Sequence, residues 1–345
     1  MVFLAIYVPV MLIGLLIFAR FASKAVYKRV IHPINSLATA AREYMDTGKG
    51  DEIKNTKIFK RFKITTNDEL EDLWDTMVEM EDDIQKAMIK IKESTAKEER
   101  ITAELELARN IQESALPNVF PAFPEDKRFD IYASMTPAKE VGGDFYDFFK
   151  IDEDHLCMLI ADVSGKGIPA ALFMMICKSL IKNRAMQGGK PSEILSSVND
   201  SIADENLNDM FVTVWLGILD IRSGEMIASN AGHEYPFITG ENGEFMLYKE
   251  PHGVVIGVLS NMEYEDYELT IPKGGSFFAY TDGVAEAQDK NEEFYGLIRL
   301  NESLNKAVSD APDKLIANVK NDVDEFESGV EQFDDITMLS IKYLG

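Results

Sequence analysis

Residues 141–167, VGGDFYDFFKIDEDHLCMLIADVSGKG, constrain this chain more than any other stretch. Two apolar runs, 145–150 and 155–161, flank the polar residues 152–154, and that pattern reads as two antiparallel strands joined by a turn. The fold-back point falls near Glu153. Reflection about it sets Asp144 opposite Asp162, nine residues away on either side, and directly opposed residues carry Cβ atoms about 4.5–5.5 Å apart. Two carboxylates held that close in a half-buried sheet must share a proton, find cationic side chains or bind a cation.

Strand-like runs dominate around this hairpin. FDIYASM (129–135) precedes it. FVTVWLGILD (211–220) turns at IRSG into EMIASNAG (225–232), and VVIGV (254–258), SFFAYTDG (276–283) and DITMLSIKYL (335–344) follow. Helical patterns interrupt them at about 169–187, 191–204 and 312–326, and strands clustered apart from helices predict an α+β sandwich rather than a doubly wound parallel sheet. Further carboxylates stand at strand ends: Asp282 closes one apolar run, and Asp334 and Asp335 open another. Each alone has a plainer reading, Asp282 as an Asp-Gly turn residue and Asp335 as a strand-edge charge. Together with Asp144 and Asp162 they can converge on one rim of the sandwich. Oxygen-only ligation suits Mg²⁺ or Mn²⁺, and two ions about 3.5–4 Å apart would neutralise such a cluster and activate a bridging water.

Composition narrows the classes. At 345 residues with 46% hydrophobic content, 12 Tyr and 20 Phe, the chain can bury more than one domain. The net charge of −24, with no segregated basic patch, argues against a nucleic-acid partner. Cys157 and Cys177 lie in apolar runs without metal-ligand spacing and read as reduced core residues, which fits a cytosolic setting for that part.

The N-terminal run 1–19 carries no charge, and as a helix it spans roughly 28 Å, near the hydrocarbon thickness of a bilayer. A signal peptide would place its basic residues first, whereas Arg20, Lys24, Lys28 and Arg29 follow the run. A single membrane helix over 1–20 is expected, with everything downstream in the cytoplasm. A helix then starts at Pro33 and stops near Gly48 and Gly50. After a polar connector, Asn67 or Asp68 caps a second helix whose apolar stripe runs Leu70, Leu73, Met77, Met80, Ile84, Ala87 and Ile91, resuming at Ile101, Leu105 and Ala108. That heptad spacing predicts a parallel coiled-coil homodimer; the alternative is one amphipathic helix lying on its own globular domain. The order of membrane helix, basic residues, proline-started helix, glycine-containing connector and DELEDL resembles a HAMP signal-relay module over residues 20–85. Such modules ordinarily follow a second membrane helix and an external sensor; neither precedes this one, so a truncated or sensorless chain is expected. The expected layout is 1–20 membrane helix, 21–85 HAMP-like module, 86–116 coiled-coil linker and, after the helix stop at Pro117, a catalytic domain at 117–345.

The ordered set GGDFYD, DVSGKG, TDG and DDIT resembles the metal-dependent (PPM-type) serine/threonine protein phosphatases, in their bacterial SpoIIE/RsbU-like branch, over residues 105–345. The resemblance implies a β-sandwich flanked by helices and two Mn²⁺ or Mg²⁺ ions. It implies Asp144 and Asp162 as the catalytic residues bridging both metals, with the Val163 carbonyl as a further ligand. Asp282 and Asp334 would complete the second metal's set, and Asp335 is counted with the metal site one layer behind it. Lys166 and Lys139 are candidates to steady the phosphate, although solvated lysines are commoner. An arginine used for phosphate by better known relatives has no evident counterpart. His233, in NAGHEYP, is open between a loop-fixing role and a general acid. The implied substrate is a phosphoserine or phosphothreonine on a small regulatory protein, an anti-sigma factor antagonist. GGDFYD also invites a HAMP-linked cyclic dinucleotide synthase, which leaves DVSGKG, TDG and DDIT unexplained. A catalytically silent, membrane-tethered dimeric scaffold is the third reading; a sensor histidine kinase lacks its phosphoacceptor histidine on the coiled-coil helix.

Overall fold

The uncharged N-terminal residues form helix, as their composition predicts. In the computed structural model, which describes residues 2–47, 57–204, 209–240, 242–250 and 252–345, α1 (Val2–Val26) continues through a π-helical turn at Tyr27–Ile31 into α2 (His32–Thr47). Pro33 therefore does not start a fresh helix. It has no N–H to give and its ring crowds the carbonyl one turn back, and the widened turn just before it accommodates both. By length and composition this helix can cross a membrane, and none of its apolar window is buried against the rest of the protein. The expected stop at Gly48 and Gly50 lies outside the described residues.

The chain divides into two compact units, up to Ile101 and from Thr102 onward. In the first, Leu37, Ala40, Ile58, Phe59, Ile64 and Trp74 make a small buried cluster. Glu81, fully buried, accepts the Ile58 and Phe59 N–H groups at 2.7 and 3.1 Å, which satisfies a carboxylate that burial would otherwise penalise. The long helix α3 (Glu69–Ala115) starts at the predicted cap, where Asp68 accepts the Leu70 N–H at 3.1 Å. Along its predicted seam Leu73, Met80, Ile91 and Ile101 are exposed.

The second unit opens with β1 (Phe129–Thr136), β2 (Phe145–Lys150) and β3 (His155–Val163), followed by α4 (Ile168–Ala185) and α5 (Pro191–Ala203). Next come β4 (Val212–Asp220), β5 (Glu225–Ala231), β6 (Phe237–Thr239), β7 (Phe245–Leu247), β8 (Tyr267–Thr270) and β9 (Ser276–Tyr280). The short α6 (Asp282–Ala285), α7 (Gly296–Lys306), α8 (Pro312–Glu327) and β10 (Ile336–Tyr343) complete it. Two antiparallel sheets result, in the orders β1-β10-β9-β6-β7 and β2-β3-β4-β5-β8. The α+β sandwich expected from the sequence is what forms.

Side-chain alternation assigns the layers. In β9, Phe277 and Ala279 join the core between the sheets, while Phe278 and Tyr280 join the core under α7 and α8. Both faces of β9 are thus buried, which is why its sequence is apolar throughout. Across the inter-sheet core the Trp215 and Phe277 rings meet with centroids 4.6 Å apart. On the other side α4 and α5 cover the second sheet. Asp147, fully buried on β2, is held by Lys178 of α4, and burying this carboxylate is tolerable only because the ammonium comes with it.

Three short strands (β6, β7, β8) and α7 escaped the sequence reading. The run 254–258 forms no strand: Gly257 takes φ +98, and Ile256 makes an isolated bridge, exchanging both backbone hydrogen bonds with Val212. Cys157 and Cys177 are free and buried, as expected.

Candidate active site

The hairpin folds about Glu153. Phe145 pairs with Ala161 and Lys150 with Leu156, so the same register carried one step outward sets Asp144 across from Asp162. Asp162 is still on β3, whereas Asp144 lies just before β2, at the end of a loop that begins at Pro137. Two glycines let that loop close. A Cβ on Gly142 would stand 2.4 Å from Asp335 Oδ2, and one on Gly143 would stand 2.8 Å from the Val163 carbonyl oxygen, so neither position has room for a side chain. The Val163 carbonyl thereby lies against Gly143, the residue before Asp144. Asp282 follows β9 and opens α6; there Gly283 lies so close to the Asp335 carbonyl that a Cβ would sit 2.0 Å from it.

The aspartates divide by their partners. Asp144, 1% exposed, accepts a hydrogen bond from the Thr281 hydroxyl at 2.7 Å. Asp335 accepts the Ala138 N–H at 2.8 Å with one oxygen and the Gly143 N–H at 2.7 Å with the other. Its carboxylate is therefore spent on fixing the loop before Asp144. Asp334 accepts its neighbour's N–H at 2.9 Å and pairs with the Lys166 ammonium at 3.0 Å. Lys166 also donates to the Phe333 carbonyl and lies over the Phe333 ring. Lys139 is exposed. Among the described residues no three of these side chains close into a set at metal-ligating geometry.

Their electrostatics nevertheless mark one field. Burial, with Asp162 and Asp335 nearby, drives the Asp144 carboxyl well above the usual range. Burial and the charge of Asp282, together with Asp334 and Asp335, push Asp162 up to about 7, against a lowering hydrogen bond with Asp144. Burial, Asp334, Glu286 and Glu234 push Asp282 up to about 6. Carboxylates displaced in this direction are short of positive charge. Oxygen-only donors, a glycine-lined approach for a backbone carbonyl and this charge deficit all fit a hard divalent cation.

His233 falls on the structural side of its two readings. Its Nε2 lies 3.1 Å from the Tyr280 carbonyl, which can only accept, so Nε2 carries the proton and Nδ1 accepts from the Thr213 hydroxyl at 2.8 Å. Both nitrogens are used, and burial lowers its pKa to about 3. A ring so held ties β4 to β9 and has no proton to lend near neutrality. Thr281 was missed in the sequence because a threonine before Asp-Gly looks like turn chemistry. Gln112 was missed as well, although a polar residue closing the helical stripe just before Pro117 was visible.

Residues 152–344 match the family model described as Stage II sporulation protein E (SpoIIE). The chain is 34% identical over 265 residues to Protein IcfG of Synechocystis sp., covering 69% of this chain and 41% of that protein. It is 31% identical over 195 residues to phosphoserine phosphatase RsbU of Bacillus subtilis, covering 56% and 57%. The chain spans about half the length of the curated relatives it matches. Among solved structures, the SiaA-PP2C domain of Pseudomonas aeruginosa aligns with a TM-score of 0.64 at 21% identity, covering 72% of this chain and 99% of that one. The PP2C phosphatase domain of SpoIIE from Bacillus subtilis with a fragment of its regulatory domain aligns with a TM-score of 0.54 at 16% identity, covering 63% of this chain and 64% of that one. Both likenesses concern the fold.

Proposed function

This chain belongs to the SpoIIE family of PP2C-type serine/threonine phosphatases, which are metal-dependent, and on that premise we propose that it is a membrane-anchored, signal-regulated protein phosphatase. Its substrate is a phosphoserine or phosphothreonine on a small regulatory protein of the anti-sigma factor antagonist kind. The relative named a phosphoserine phosphatase supports the phosphoserine half of that reading. The observation that carries the catalytic half is the crowded carboxylate field of Asp144, Asp162 and Asp282, each raised by burial and by neighbouring carboxylates.

In this reading Asp144, Asp162, the Val163 carbonyl, Asp282 and Asp334 hold two Mn²⁺ or Mg²⁺ ions. Such ions supply an activated water and charge neutralisation for hydrolysis of a phosphoric monoester. The protein's part is placement. Thr281 aims Asp144, Gly143 lets the Val163 carbonyl approach, and Asp335 holds the loop rather than an ion. Lys166, at Asp334, and exposed Lys139 are the cations available to steady a phosphate. α1 anchors the chain in the membrane, the HAMP-like region up to residue 85 and the coiled coil of α3 carry a signal, and the catalytic unit faces the cytoplasm. The exposed seam of α3 supports a parallel homodimer.

The test is phosphate release from a phosphoserine protein with Mn²⁺, comparing wild type, Asp144→Asn and Asp282→Asn, with GTP assayed in parallel. Release lost by about a hundredfold or more in both variants is expected, since each removes a ligand that acts on the reacting centre. Turnover unchanged in both variants, or a cyclic dinucleotide product from GTP, refutes the proposal. An inert wild type favours the silent scaffold.

A further inference from the structure

Gln112 lies near the end of α3, inside the unit that carries the site, and is 4% exposed. Burying an amide is costly unless both of its ends find partners. Here one residue satisfies both: Nε2 donates to the Gly142 carbonyl at 2.6 Å, and Oε1 accepts the Gly142 N–H at 3.1 Å. Gly142 stands two residues before Asp144. Two residues after it, the Tyr146 hydroxyl donates to the carbonyl of Pro117 at 2.8 Å, just past the helix end. The end of α3 and the residues just past it therefore hold the chain on both sides of Asp144, by the Gly142 backbone before it and the Tyr146 side chain after it.

The opposite wall of the same loop is fixed. Asp335 takes the Gly143 N–H, and its Oδ2 leaves no room for even a methyl group on Gly142. Gly142 is thus held between Gln112 on one side and Asp335 on the other. A shift of α3 by one residue's rise, about 1.5 Å, stretches these 2.6 and 3.1 Å contacts beyond hydrogen-bond range where it is directed along them.

We propose that Gln112 is a positioning residue through which α3 sets the place of Asp144, and with it the cation affinity of the site. The inference rests on the metal-dependent reading above and deepens it: a signal arriving along the helix reaches the site as a gain or loss of this paired hydrogen bond.

The test uses the full chain in detergent micelles, with Mn²⁺ binding followed by the EPR signal of free Mn²⁺ and thermal midpoints measured in EDTA. Gln112→Leu keeps the size of the side chain and removes both hydrogen bonds. Gln112→Glu keeps the acceptor for the Gly142 N–H and sets a carboxylate against the Gly142 carbonyl. Leu116→Ala strips packing from the same helix end without touching Gly142. Weakening of Mn²⁺ affinity by about tenfold or more in both Gln112 variants is expected, with Leu116→Ala melting earlier yet binding Mn²⁺ within about twofold of wild type. If Gln112→Leu fails to fold, Gln112→Glu decides. Wild-type affinity in the Gln112 variants, or an equal loss in Leu116→Ala, overturns the proposal. A wild type that binds Mn²⁺ but releases no phosphate refutes the proposed function while the Gln112 comparison still decides this inference; a wild type that binds no Mn²⁺ sinks both.

Discussion

The ammonium of Lys166 lies 3.0 Å from the carboxylate of Asp334 and over the ring of Phe333. One residue expected to steady a phosphate thus stands on one expected to hold a metal, and the two roles compete. Both side chains are about a third exposed, so the pair is worth no more than about 1 kcal/mol. Lys166→Met removes the competitor and a like charge beside the cation. Mn²⁺ should bind about two- to fivefold tighter by titration calorimetry, while KM for the phosphoprotein rises if the lysine also meets substrate. Mn²⁺ binding weakened by this substitution would show that Lys166 shapes the site rather than blocks it.

Asp144 concentrates the electrostatic cost of the site. It is buried beside Asp162 and Asp335, and with EDTA present no cation offsets that crowding. Asp144→Asn keeps an acceptor for the Thr281 hydroxyl and removes the charge. In EDTA the variant should therefore melt higher than wild type, by about 2–4 °C for each kcal/mol relieved in a unit of this size. Added Mn²⁺ should raise the wild-type midpoint and leave that of the variant nearly unmoved. A variant that melts lower than wild type in EDTA would mean that Asp144 is a structural hydrogen-bond partner before it is a ligand.

How much of this was legible in the sequence follows from range. The register of the β2–β3 hairpin came out residue for residue, because a polar turn between two apolar runs fixes its own mirror point. The helix stop before Pro117 and the cap at Asp68 are equally local. What escaped depends on contacts far along the chain. Asp335 meets Gly143 across 192 positions and Thr281 meets Asp144 across 137, and no pattern within a window of a dozen residues encodes either. α7 was missed because its buried face is only Leu300, Ser303 and Leu304 and it starts from a glycine without a side-chain cap. The run 254–258 was misread because β-branched residues signal a strand while the positive φ of Gly257, set by its surroundings, breaks one.

His233 offers a test by pH. In the unfolded chain an imidazole takes up a proton near 6.5, whereas the folded one, buried with both nitrogens engaged, refuses it until about 3. The unfolded state therefore binds more protons throughout that window, so this contribution is fully present above pH 6.5 and is lost as pH falls toward 3. His233→Gln lacks that loss. The wild type should be the more stable protein at pH 7.5, and the gap between their thermal midpoints should close steadily from pH 6.5 to 4.5, each protein otherwise carrying the same carboxylates. A gap constant with pH would mean that the folded ring takes up its proton in the same range as the unfolded one, and would reopen the general-acid reading.

The seam of α3 sets the last expectation. Met80, Ile91 and Ile101 recur at heptad-compatible positions and are exposed, while the small cluster around Phe59 and Trp74 buries few side chains of its own. An apolar stripe of that length left in water is costly at about 25 cal/mol per Å², and pairing with a second copy of the same helix removes it. Ile91→Asp, which puts a charge into the seam, should convert a dimer into a monomer by sedimentation equilibrium in micelles. Inserting one residue near Ser94 rotates everything beyond it by about 100° relative to what precedes it. That insertion should change phosphatase activity of the full chain while leaving Mn²⁺ affinity of residues 105–345 untouched, because those residues contain the whole carboxylate field. Activity unchanged by the insertion would uncouple the helix from catalysis, and a wild type monomeric at micromolar concentration would remove the coiled coil altogether.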